Sequence, residues 1–159
     1  MTIRKKIDKG LEWTLVSFMS VLVINVLWQV ASRYIMNAPS SFTDELAGYL
    51  LIWVGFLGAA YVAGRREHLA IDILLQKSSP QRRYKLEIII SILIILFSVF
   101  VLIIGGSWLA YTRFFLSVRS AALGLPLGFV YLVLPISGLL IAYFDIDNMV
   151  RMISQNRKN

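Results

Sequence analysis

The sequence has no cysteine and one histidine, His68. The first absence removes disulfides, thiol nucleophiles and iron–sulfur clusters. The second removes any haem held between two histidines of this chain. There is no phosphate-cradling glycine loop and no nucleophile elbow. Charge is scarce as well, at 16% of 159 residues, and it sits in clusters separated by long uncharged runs. These shortages leave little with which to build an enzyme, and no catalytic, cofactor-binding or metal-ligating residue is predicted.

What the chain has in quantity is apolar surface, 58% of all residues. Four runs have the length of membrane spans, at approximately 13–32, 46–64, 86–111 and 125–144. The connections between them are too short for a soluble catalytic domain. The predicted fold is an all-α integral membrane protein, a single domain over residues 1–159 with four transmembrane helices. The first run follows a basic start as a signal peptide would, but its length is that of a retained span.

The sixteen Lys and Arg outnumber the nine Asp and Glu, and their placement matters more than the excess. Thirteen precede the first run, lie between the second and third, or follow the fourth. Only Arg33, Arg113 and Arg119 occupy the other two connections. The positive-inside rule therefore predicts that both termini are cytoplasmic. Charges that flank spans form no continuous basic stripe, so a nucleic-acid partner is not expected.

Inside the first run, Asn25, Gln29 and Ser32 recur at helical spacing on one face. Amides are costly against lipid, so this face is expected to meet protein, through interhelical hydrogen bonds or a substrate contact. Residues 37–41 are turn chemistry, and Ser41 with Asp44 three residues on resembles a capping box. Asp44 and Glu45 suit the positive end of the helix dipole; one of them could instead meet a cation on a partner protein. In the second run Gly55, Ala59 and Ala63 recur every fourth residue, with Gly48 and Gly58 nearby, a face that lets helix backbones approach closely.

Beyond Gly64, residues Arg65, His68, Asp72, Gln76 and Ser79 fall on one narrow polar stripe of a helical projection. This predicts an amphipathic helix over about 66–78, lying at the cytoplasmic interface or docked on another subunit. Ser79 and Pro80 have the chemistry of a cap and first residue for the third helix. Gly124-Leu125-Pro126 should open the fourth helix, and Pro135 should kink it. No acidic residue lies at the middle of any span, which weakens an ion-coupled transporter acting alone.

Three stretches together resemble one family. They are Phe42-Thr43-Asp44-Glu45-Leu46-Ala47 running on through 51–59, Arg65-Arg66-Glu67-His68-Leu69-Ala70-Ile71-Asp72, and Leu123-Gly124-Leu125-Pro126 followed by Tyr131, Pro135 and Gly138. Their order and spacing resemble the small membrane subunit, DctQ type, of tripartite ATP-independent periplasmic (TRAP) transporters, over nearly the whole chain. Family members often carry Trp near the position of Phe42, where this chain keeps an aromatic.

The resemblance implies a multi-pass protein of the bacterial inner membrane, in a sodium-driven system that imports an organic acid such as a dicarboxylate, sialic acid or another sugar acid. A periplasmic substrate-binding protein would capture the acid. A large multi-span subunit would carry the substrate and sodium sites, and this chain would brace it without binding substrate. Asp44, Glu45, Arg65, Arg66, Glu67, His68 and Asp72 then become candidates for contact with that partner or with lipid headgroups. Two rivals stand beside this reading: a self-sufficient homodimeric transporter with a path along Asn25, Gln29 and Glu45, and a membrane anchor for a soluble enzyme.

Overall fold

The computed structural model describes residues 3–38, 40–65 and 80–156. It contains α1 (Ile3–Tyr34) and α2 (Ser41–Arg65). A long third helix follows as α3 (Pro80–Phe97), a π-helical segment (Ser98–Gly105) and α4 (Gly106–Phe115). The fourth is α5 (Leu127–Tyr131) and α6 (Val133–Asn156). These elements make four helices long and apolar enough to cross a membrane. Among the described residues the only β feature is an isolated bridge between Arg119 and Pro126. The amphipathic stretch expected over 66–78 lies outside the described residues.

The helices run past the apolar limits of their sequences. α1 begins well before residue 13 and α6 continues well beyond 144. The flanking Lys, Arg, Glu and Met residues are good helix formers, so polarity ends the span without ending the helix. Two finer expectations shift. Pro126 is extended (φ −61°, ψ 121°) and stands before the first helical residue, Leu127, instead of opening the helix itself. Pro135, lacking an N–H, leaves the Tyr131 carbonyl without its partner four residues on. The helix breaks there, between the end of α5 and the start of α6.

The π segment has no obvious signal in a run of Val, Leu, Ile and Phe. Its widened turn is registered at Gly106, whose N–H faces the carbonyls of Val101, Leu102 and Ile103.

α6 is the central helix: α2 packs on one side of it and the third helix on the other, while α1 lies against α2. Burial follows that order, at 44% of the apolar window of the fourth helix and 6% of that of α1. One core cluster joins Leu11, Leu57, Val133 and Phe144; Phe18 meets Trp53 edge-on beside it at 5.8 Å. A second joins Ala60, Ala63, Leu102 and Ile141.

The third and fourth helices approach each other closely. A Cβ added to Gly106 would stand 2.6 Å from the Cβ of Leu134, and one added to Gly138 would stand 2.7 Å from that of Leu102. α2 is different, because a Cβ on Gly48, Gly55 or Gly58 would meet nothing within 4 Å.

Candidate partner-binding surface and the ties that shape it

Polar side chains gather at the two ends of the bundle. At the end opposite the termini, α2 starts at Ser41, so Ser41 is the first helical residue and not the cap. The preceding Ser40 carbonyl accepts the N–H of Asp44 at 3.4 Å and the hydroxyl of Thr43 at 2.8 Å. Asp44 makes no capping box; its carboxylate turns to α1, accepting from Gln29 Nε2 and lying 3.6 Å from Arg33 Nη2. One helical turn inward, the buried Asn25 donates to the Thr43 carbonyl at 2.8 Å. The polar face of α1 is thus spent on the start of α2.

Glu45, the next residue along, points the other way. Its carboxylate accepts the Ser120 hydroxyl and the backbone N–H groups of Ala121, Ala122 and Leu123, the last three at 3.1, 3.1 and 3.3 Å. Successive N–H groups converging on one anion form a nest. The loop is shaped for this. Ser120 Oγ also accepts the Leu123 N–H at 3.0 Å, and Gly124 closes the turn with φ +65°. Glycine takes that conformation without the Cβ clash that other residues meet. Ser120 N–H to Leu125 O, at 2.9 Å, and Leu127 N–H to Val118 O, at 2.9 Å, join the two arms of the loop.

At the end carrying the termini, Arg4 of α1 donates to the Asp147 carboxylate, to the Gly64 carbonyl and, at 2.9 Å, to Asn148 Oδ1. Its guanidinium also lies 5.7 Å from the ring centre of Phe144. Asn148 Nδ2 donates to Ala63 O at 3.3 Å, and Arg151 pairs with Asp147 at 2.9 Å. One side chain therefore fastens α1 to the end of α2 and to α6. Sequence reasoning counted Arg4 only as a topogenic charge and Asp147 only as a helix end. Nothing local signals a pairing across 143 residues.

The remaining predicted residues separate. Gly55 and Ala59 are exposed, whereas Ala63 is buried in the second core cluster. The Arg65 guanidinium lies over the Tyr61 ring at 4.5 Å. Arg66, Glu67, His68 and Asp72 lie outside the described residues. One cavity of about 290 Å³ lies between α2, α3 and α6, and another of about 270 Å³ lies below the loop, among Phe18, Tyr49, Trp53 and Phe129. Both are lined almost wholly by apolar side chains. Among the described residues the bundle thus offers apolar faces for packing and internal polar ties, with no group of carboxylates or histidines that could hold a metal ion.

Residues 22–155 match the family described as tripartite ATP-independent periplasmic transporters, DctQ component. The chain belongs to this family. A Haemophilus influenzae protein described as a TRAP transporter small permease is 32% identical over 149 residues, covering 92% of this chain and 89% of that one. The sialic acid TRAP transporter small permease SiaQ of Vibrio cholerae is 22% identical, covering 95% of this chain and 86% of SiaQ. A sialic acid TRAP permease of Haemophilus influenzae, SiaT, is 31% identical over 70 residues, which are 11% of its length. The chain is a small TRAP permease subunit with four membrane helices, a transporter component and not an enzyme.

Proposed function

We propose that this subunit braces the large transport subunit of a sodium-driven, binding-protein-dependent importer of an organic acid, and binds no substrate itself. The observation that carries this reading is the fate of the polar groups. Asn25, Gln29, Asp44 and Glu45 are engaged in holding α1, α2 and the loop together. None is left lining a path through the bundle, and neither cavity presents the convergent polar groups that a carboxylated substrate needs. A scaffold needs helices tied to one another and apolar faces, and both support this reading.

Sodium sites and substrate selection belong, on this reading, to the large subunit and the periplasmic binding protein. A sugar acid is the favoured cargo, since two relatives carry sialic acid in their names. The excess of Lys and Arg in the first and last segments supports cytoplasmic termini in the bacterial inner membrane, with lipid headgroups beside them.

The test is affinity purification from native membranes followed by reconstitution. Stoichiometric recovery of a many-spanned partner is expected, with sodium-dependent uptake only when the large subunit and the binding protein are both present. Recovery as a homo-oligomer that transports alone would overturn the reading.

A further inference from the structure

We infer that the outward face of α2 and the groove beside it seat one transmembrane helix of the large subunit. The inference rests on the brace reading above, and it assigns the docking site within it.

α2 and α3 flank α6 without close backbone approach to each other among the described residues. The space left between them is the groove of about 290 Å³, with Ala59 and Ala63 on one wall, Leu93 and Phe97 on the other and Ile141 at its floor. At 100° per residue, Gly48, Gly55, Gly58 and Ala59 share the side of α2 opposite the buried Leu57, Ala60 and Gly64. The glycines there have open space where a Cβ would stand. Small residues gain little against acyl chains, but they admit a second helix backbone.

An independent observation concerns Ser98. This residue lines the same groove, is 0% exposed, and its hydroxyl has no partner. A serine in a helix ordinarily bonds the carbonyl one turn back. Ser17 and Ser20 of α1 do so, both at 2.8 Å. At Ser98, where the π segment opens, that bond is not made. A buried unpaired hydroxyl is costly in an apolar medium, and an acyl chain offers it nothing. A helix can offer a backbone carbonyl at a small residue, or a polar side chain.

A second copy of this chain fits less well. Two copies inserted in the same sense pair about an axis normal to the membrane, which brings like surfaces together. The exposed Arg65 near one end of the face would then oppose itself.

The test uses the assembled transporter in native membranes. A photo-crosslinking p-benzoylphenylalanine replaces Leu51, on the face, or Phe97, on the wall of the groove, or Ile24 on the outer side of α1 as a control; all three positions are exposed. Adducts with the large subunit are expected from Leu51 and Phe97 and not from Ile24. Adducts confined to Ile24, with the large subunit still co-purifying, would overturn the docking site and leave the brace reading standing. Adducts of twice the chain's mass, or none from either test position, would overturn it in favour of a second copy or of lipid. Failure to recover any large partner would sink both readings. Ser98→Ala should leave the isolated chain folded and lower the retention of the complex in detergent; retention equal to wild type would refute the hydroxyl's role.

Discussion

Glu45 and Ser120 stand 75 residues apart and share a hydrogen bond at the centre of a carboxylate nest. The acidic pair at the start of α2 is divided between two neighbours: Asp44 holds α1, and Glu45 holds the loop between the last two spans. Glu45→Ala should therefore loosen that loop first. The Ser120 hydroxyl and the N–H groups of Ala121 and Ala122 lose their acceptor together, while Leu123 keeps only Ser120 Oγ, and proteolysis between residues 116 and 126 should speed up in detergent. Glu45→Gln keeps one carbonyl oxygen and should fall between the two. Unchanged cleavage in Glu45→Ala would show that the loop holds itself.

Arg4→Ala should lower stability by about 1.5–3 kcal/mol, the range for hydrogen bonds to charged groups, because α1 loses its tie to Asp147 and Gly64. Arg4→Lys keeps the charge without the planar fork and should recover only part of it. Thermal unfolding in detergent measures both. Equal midpoints for Arg4→Lys and wild type would reduce the tie to simple charge pairing.

Glycines on the two faces should respond with opposite sign. Gly138→Ala and Gly106→Ala force a Cβ into Leu102 and Leu134, and overpacking of this kind costs about 1–3 kcal/mol. Gly55→Ala meets open space in the isolated chain and should be neutral or stabilising by about 0.4–1 kcal/mol, through the unfolded state. In the complex Gly55→Leu and Ala59→Arg should abolish assembly. Normal co-purification of Ala59→Arg would refute the packing role of that face.

The absence of native cysteine makes topology directly testable. A cysteine at exposed Ala121 should react with a membrane-impermeant maleimide from outside the inner membrane, and one at exposed Lys5 should react only after lysis. The reverse pattern would invert the assigned orientation.

What the sequence made legible, and what it hid, divides by range. The four spans announce themselves through uninterrupted apolar length, and Pro135 announces the break in the fourth because its missing N–H acts four residues away. The Asn25–Gln29 face could be read as protein-facing from the cost of amides in lipid, although its partners could not. The nest around Glu45 was hidden because three of its four donors are backbone groups, which every sequence possesses. Arg4 and Asp147 were hidden by distance along the chain. The spacing of Gly55, Ala59 and Ala63 speaks of close approach; it says nothing about which of them faces inward, and only Ala63 does.

The π segment also fixes the rotational phase of the third helix. Its wider turn takes up residues that an α-helix would spread further round the axis, so α3 and α4 are out of step with a single uninterrupted helix. Removing one residue between Ser98 and Gly105 would let the segment rewind as α-helix and largely keep that phase, because the wide turn holds about one residue more than an α turn over a similar rotation. Rewinding the same residues as α-helix with none removed would turn one half against the other, so that Gly106 and Ala110 stayed seated against the fourth helix while Phe97 swung away from α2, or the reverse. The two halves of that helix thus present their side chains to different neighbours, and a regular α-helix of the same length would uncouple them without altering the hydropathy of the span.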